Sequence, residues 1–229
     1  MKMKMRLTYI LGLFMLITIS HAKLIYLIRN GEELNKKVSN LSTIGEARAK
    51  CLVEVFGKNG TFVSPQKIYT KSSGKKNTRP YDTAVPLSED LQLAIDASFN
   101  NDNTGDLTNT ILNSPEEIVL IVWTNGDIDD FPHDLGVVEP NWADNVYDEI
   151  WILNNNQNVT YTKQTNSTIN EVRKYEGKLD YNMIVVKQNV EQCMKNIVPE
   201  FAQLNSGSSI LKANIITIFV GILLTILFF

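Results

Sequence analysis

Three short polar segments, each set beyond an apolar run, carry the residue types in this chain that could do chemistry. Arg29-Asn30-Gly31-Glu32 follows Leu24-Ile25-Tyr26-Leu27-Ile28. Arg79-Pro80-Tyr81-Asp82 stands beyond Lys67-Ile68-Tyr69-Thr70 and a basic loop, Lys71 to Lys76. Trp123-Thr124-Asn125-Gly126 follows Ile118-Val119-Leu120-Ile121-Val122. A guanidinium is a planar fork of N–H donors that suits the oxygens of a phosphate or sulfate group. A carboxamide also offers N–H donors, but its nitrogen lone pair is delocalised and makes no nucleophile. Between Lys23 and Ser206 the only histidine is His133, which lies outside all three segments and reads as a helix-face residue.

The elements that must position these segments alternate between strand and helix. Leu24–Ile28 reads as a buried strand. Thr43-Ile44-Gly45-Glu46 reads as a capping box opening a helix, with Ile44, Ala47, Cys51 and Val55 at helical spacing to about Phe56 and Gly57 ending it. Lys67–Thr70 is a short strand. Arg79-Pro80 opens a helix through about Leu91, proline being suited to a first turn. Asp106 to Asn113 is a further helix. Glu117 to Trp123 is a continuous apolar strand of the kind covered on both faces. Asp127 to Leu135 returns as a helix that Pro132 shortens or kinks. Glu149–Leu153 and Val159–Lys163 flank an Asn-rich turn and read as a hairpin. Met183–Val186 is a last strand, and Val190, Met194, Ile197 and Phe201 mark a closing helix broken near Pro199. Alternation of this kind predicts a three-layer α/β/α sandwich with a mainly parallel sheet. Sites in such sheets gather at the carboxyl ends of the strands, where the three polar segments would meet.

The ends of the chain bear on compartment. Lys2, Lys4 and Arg6 precede an apolar run from Leu7 to Ile19, and small residues follow in Ser20-His21-Ala22. That is the layout of a secretory signal peptide, residues 1–22, cleaved after Ala22. At the other end, the small residues Asn205 to Ser209 and a mixed spacer, Ile210 to Asn214, lead into an apolar tail from Ile215 to Phe229. This order, over residues 207–229, fits a glycosylphosphatidylinositol attachment signal. The alternative is a C-terminal membrane span, although such spans usually carry Lys or Arg on the cytoplasmic side. The expected mature domain is 23–206, attached to the outer face of the plasma membrane. Four N-glycosylation sequons, at Asn40, Asn59, Asn158 and Asn166, suit the same route. A formal net charge of −3 over 229 residues suggests no nucleic-acid partner. Cys51 and Cys193 are compatible with one disulfide or with two buried thiols. Nothing in the sequence names a protein partner.

Taken together, the segments resemble the histidine phosphatase superfamily, its phosphoglycerate mutase-like group, over most of Leu24 to Leu153. Arg29-Asn30-Gly31-Glu32 matches the Arg-His-Gly-Glu motif with Asn in place of His. Leu41-Ser42 with Gly45 and Ala49 matches the start of the family's first helix. Ile68-Tyr69, then Arg79-Pro80-Tyr81-Asp82-Thr83-Ala84, matches the strand, the second phosphate-binding arginine and its trailing Thr-Ala. Leu120 to Asn125, with Ile128 and Leu135-Gly136 behind, matches the strand and loop of the second histidine.

The resemblance implies a nucleophilic histidine at position 30, a second histidine at 125, and Arg29 and Arg79 clamping the phosphoryl oxygens. Both imidazoles are asparagine here, and Gly126 stands where relatives often carry an acid. The expected outcome is a catalytically inactive relative whose Arg29, Asn30, Arg79 and Asn125 still hold a phosphate-type anion, with no cofactor and no metal. Two alternatives stand beside it. One is a structural glycoprotein with a relict pocket, Arg29 and Arg79 being paired with local carboxylates such as Glu32 or Asp82. The other is an active phosphatase with a carboxylate nucleophile, Asp127 or Asp82.

Overall fold

The computed structural model describes residues 23–35, 40–73, 77–138, 141–155, 160–163, 171–177 and 181–201. The expected signal peptide, the C-terminal apolar segment, the sequons at Asn158 and Asn166, and Lys75 and Lys76 of the basic loop lie outside them.

Seven strands form one sheet: β1 (Leu24–Arg29), β2 (Lys67–Lys71), β3 (Ile95–Phe99), β4 (Ile118–Trp123), β5 (Glu149–Asn154), β6 (Glu171–Glu176) and β7 (Asn182–Lys187). Their order is β3-β2-β4-β1-β5-β7-β6. β1 to β4 pair in parallel, β5 runs antiparallel to β1, and β7 and β6 alternate in direction beyond it, so five of the seven share one direction. The helices are α1 (Thr43–Phe56), α2 (Arg79–Leu91), α3 (Thr104–Asn113), α4 (Asp130–Asp134) and α5 (Glu191–Ile197).

Side chains alternate across β1, as a strand requires, and so feed two cores. Leu24, Tyr26 and Ile28 pack with Cys51, Leu52 and Phe56 of α1, Ala84 and Leu87 of α2, and Met194 of α5. Ile25 and Leu27 pack on the opposite face with Leu107 and Ile111 of α3, Phe131 of α4, and Trp142 and Trp151. These are the two outer layers of the expected sandwich. Each fully buried aliphatic or aromatic side chain contributes about 1.5–3 kcal/mol. Cys51 and Cys193 are joined in a disulfide with a Cα–Cα distance of 5.9 Å, which ties α1 to α5.

Several local expectations are corrected. The helix cap lies one residue earlier than a box at Thr43: Ser42 is the cap, and its Oγ accepts from the Gly45 N–H at 3.1 Å. The hairpin of 149–153 with 159–163 does not form, because both edges of β5 are occupied, by β1 and by β7. Residues 161–163 bond instead to the 61–63 segment, through Val63 N–H to Tyr161 O and Lys163 N–H to Thr61 O. The helix expected over 127–135 divides into a 3-10 turn, Asn125–Asp127, and the five-residue α4. Pro132 leaves no amide for a longer ladder. The closing helix does break ahead of Pro199, as expected, but it spans only Glu191–Ile197, so Val190 and Phe201 lie outside it. Edge strands β3 and β6 were not anticipated. Ile95-Asp96-Ala97-Ser98-Phe99 does alternate apolar and polar, the pattern of a half-exposed strand, whereas Glu171-Val172-Arg173-Lys174-Tyr175-Glu176 is mostly charged, a common way to blunt an edge.

Candidate functional site

β2, β4 and β1 are adjacent and parallel, so their carboxyl ends stand side by side at one rim of the sheet. The chain crosses from β1 past β4 to β2 and later returns to β4 between them, which opens a crevice at that rim. β5 runs the other way beside β1, so the residues just before it, Asp144 to Tyr147, reach the same place. A cavity of about 320 Å³ fills the crevice. The three polar segments meet there: Arg29 at the end of β1 and Asn30 after it, Arg79 at the start of α2, and Thr124, Asn125 and Gly126 after β4 all line it.

Close backbone approach sets the first segment. The loop leaving β1 passes against the first turn of α1, and Ser42 N–H donates to Glu32 O at 2.8 Å. A Cβ on Gly31 would lie 2.9 Å from the Gly45 carbonyl oxygen, and one on Gly45 would collide with that of Glu32. Both positions therefore need glycine for space, which is the physical content of the Gly31 and Gly45 matches. Asn30 is 5% exposed. Its N–H donates to Trp123 O at 2.9 Å, and its Nδ2 to Gly31 O at 2.8 Å.

The two arginines are held differently. The Arg29 guanidinium lies 4.0 Å over the Tyr147 ring. It donates to Asp144 O at 2.5 Å, Val146 O at 3.3 Å and Tyr147 Oη at 3.1 Å. Its Nε is buried without a partner. Arg79 donates through Nε to Asn77 Oδ1 at 3.0 Å and through Nη1 to the Glu33 carboxylate. The carboxylates named from sequence as rivals for these arginines go elsewhere. Glu32 accepts the buried fork of Arg48, at 2.6–3.1 Å. Asp82 accepts from Thr78 Oγ1 at 2.6 Å and lines a separate groove between α1 and α2, away from the site. The rival for Arg79 is Glu33, and Arg29 makes no ion pair with a carboxylate among the described residues.

Asn125 donates through Nδ2 to Asp144 Oδ1 at 2.7 Å, and its Oδ1 is buried without a partner. His133 is exposed on α4 and does not line the cavity.

A third cation was missed as a site residue. Lys71, the last residue of β2, lines the cavity, donates to Thr124 Oγ1 at 3.3 Å and lies 3.9 Å from Asp127. Its place as the first residue of the basic loop, at a strand's carboxyl end, was the available signal. Tyr147, Asn77 and Glu33 gave no comparable signal. Burial lowers the pKa of both the Arg29 guanidinium and the Lys71 ammonium from their ordinary values, while Tyr147 and Asp144 beside the first, and Asp127 beside the second, act in the opposite direction. The lining thus carries three cations against two carboxylates, Glu33 and Asp127. Among the described residues no cluster of histidine, cysteine, aspartate and glutamate could hold a metal ion.

No protein-family model matches the chain. No curated protein matches it either. Among solved structures, a protein assigned as an alpha-ribazole-5'-P phosphatase from Escherichia coli is 13% identical, with a TM-score of 0.43 over 63% of this chain and 96% of its own. A second, assigned as the phosphohistidine phosphatase SixA from Nakamurella multipartitia, is 11% identical, with a TM-score of 0.39 over 58% of this chain and 84% of its own. These neighbours are histidine-phosphatase-family proteins.

Proposed function

We propose that this is a secreted or cell-surface protein of the histidine phosphatase type that has lost catalysis and kept an anion pocket. One observation carries the reading: Asn30 and Asn125, at the two positions where the resemblance implies imidazoles, line the same cavity as Arg29 and Arg79. An amide cannot take up a phosphoryl group as imidazole does. The guanidinium of Arg79, with Lys71 and the remaining N–H donors of Arg29, can still hold phosphate oxygens in a partly desolvated crevice. The ligand class is a phosphate or sulfate ester, bound and released unchanged, with no cofactor or metal.

A second reading, a relict pocket in a structural glycoprotein, draws support from two contacts. Glu33 already takes Nη1 of Arg79, and three protein oxygens take the Nη1 and Nη2 donors of Arg29. A third, catalysis by a carboxylate, narrows to Asp127, since Asp82 does not line the cavity. Calorimetry of the secreted protein with phosphate, vanadate and small phosphate esters separates these readings. Binding that weakens on Arg79→Ala supports the first, and its absence favours the second. Turnover of any ester favours the third. Loss of a charged hydrogen-bond partner from a bound anion costs about 1.5–3 kcal/mol.

The proposed location is the outer face of the plasma membrane, with residues 207–229 exchanged for a lipid anchor, and with glycans at some of Asn40, Asn59, Asn158 and Asn166. Asn40 and Asn59 are exposed, which supports their use. Among the described residues no helix is long and apolar enough to cross a membrane. A phosphatidylinositol-specific phospholipase should release the protein from cells. Retention, while an anchored control is released, would favour a C-terminal span.

A further inference from the structure

Both degenerate positions are followed by glycine, and so is a third asparagine: Asn30-Gly31, Asn59-Gly60 and Asn125-Gly126. Asn-Gly is the dipeptide most prone to spontaneous deamidation, because glycine's nitrogen reaches the preceding carboxamide without a side chain in the way. The fold treats the three differently. Gly31 N–H is engaged by Thr83 Oγ1 at 2.9 Å, Asn30 is buried, and the Gly45 backbone is packed against Gly31. Gly60 is buried, its N–H donates to Gly57 O at 2.9 Å, and a Cβ there would meet Val55 O at 2.6 Å. Neither peptide has room to turn.

Asn125-Gly126 is the opposite case. It lies in the first turn of the 3-10 segment Asn125–Asp127, where N–H groups have no acceptor within the helix. Gly126 is exposed, and a Cβ built on it meets nothing within 4 Å. Nothing packs against Gly126 to hold this peptide in the turn, and the side-chain bond that must open is that of the Asn125 amide to Asp144 Oδ1.

We infer that Asn125-Gly126 is a site of spontaneous deamidation, which places a new carboxylate in the wall of the anion pocket. The Gly126 amide nitrogen attacks Cγ of Asn125, and the new C–N bond closes a succinimide. The carboxamide nitrogen leaves as ammonia, taking the proton lost by Gly126. Water then opens the ring at either carbonyl to give aspartate or isoaspartate, with no oxidant or reductant involved. The lining changes from three cations against two carboxylates to three against three. The new carboxylate also faces Asp144, whose Oδ1 had accepted the Asn125 amide at 2.7 Å. Two carboxylates at that distance repel, and Asp144 O is also one of the acceptors that hold Arg29. This last consequence, weaker anion binding, rests on the anion-pocket reading. The modification itself does not.

The test is timed incubation of the purified, disulfide-intact protein at mildly alkaline pH, followed by peptide mapping with isoaspartyl labelling. A reduced and denatured sample, in which all three dipeptides are free to react, serves as the control. The expected result is conversion at Asn125 at least tenfold faster than at Asn30, and faster than at Asn59 in chains without a glycan there. Gly126→Ala, which the open space accommodates, should suppress conversion while leaving the folded state intact. Conversion at Asn30 as fast as at Asn125, or an intact Asn125 under conditions that convert it in the denatured sample, would overturn the inference. Phosphate calorimetry on Asn125→Asp is a separate arm. Unchanged binding there removes the consequence for the pocket, and absence of binding by the wild type counts against the pocket reading alone.

Discussion

Gly31 and Thr83, 52 residues apart in the chain, are joined by a hydrogen bond of 2.9 Å from the Gly31 N–H to the Thr83 hydroxyl oxygen. The same hydroxyl donates to Arg79 O at 2.7 Å. One fully buried side chain thus fixes the loop that presents Arg29 relative to the helix turn that presents Arg79. Thr83→Val keeps the shape and leaves the Gly31 N–H unpaired, which costs about 1–3 kcal/mol. Urea unfolding should show that loss, and Thr83→Ser should recover most of it. A valine variant as stable as the wild type would show that the bond does not hold the two segments.

Glu33 is the anion that the protein itself supplies to Arg79. An external anion that takes the same Nη1 competes with it. Glu33→Gln should therefore strengthen phosphate binding by up to about fivefold, the equivalent of the 1 kcal/mol or less that a partly exposed ion pair contributes. Calorimetry reads this directly. Weaker binding in Glu33→Gln would mean that the carboxylate organises the pocket and does not compete for it.

Imidazoles introduced at positions 30 and 125 test the proposed loss of catalysis. The wild type should show no phosphate-ester turnover above background. Asn125→His alone should remain inactive, because the nucleophile is still missing. Asn30→His should give slight turnover and the double variant the most, exceeding the sum of the singles, since residues acting as one catalytic unit are strongly non-additive. Clear turnover by the wild type, abolished by Asp127→Asn, would instead assign the chemistry to that carboxylate.

The Cys51–Cys193 bond spans a sequence separation of 142 residues. On the chain-entropy account a closure of that length stabilises the fold by about 4–5 kcal/mol. The Cys51→Ala, Cys193→Ala double variant should lose a large share of this in urea unfolding, with α5 loosening first, as hydrogen exchange would report. Equal stability with and without the bond would show that packing alone holds α5 in place.

The sheet was legible where burial dictates composition. β1 and β4 are covered on both faces and read as unbroken apolar runs, and α2 was delimited by Arg79-Pro80 at one end and Leu91 at the other. Strands at the rim carry weaker patterns: β3 is half exposed and β6 is mostly charged. The false hairpin arose because local alternation cannot reveal that β5 already has partners on both edges, set by β1 and β7 from distant parts of the chain. The site was legible through motif order, which brought Arg29, Asn30, Arg79 and Asn125 together. It was not legible in the side chains that complete the wall. Tyr147 arrives only because β5 is antiparallel, and the choice of Glu33 over Asp82 as partner of Arg79 depends on which loop folds inward.

Arg29 rests on an aromatic face and backbone carbonyls, and none of the side chains lining the cavity is a histidine. Imidazole is the one side chain whose ordinary titration falls between pH 5 and 8. A site lined with it changes charge as a protein moves through acidic compartments. On the proposed reading, with carboxamides at positions 30 and 125 where the resemblance implies imidazoles, the pocket lacks that sensor as well as a nucleophile. A phosphate monoester has its own second ionisation near pH 6. Protonation of a monoester would change its affinity across that range, whereas a sulfate or a phosphodiester keeps its charge, so comparing binding curves against pH for the three ligand types separates them.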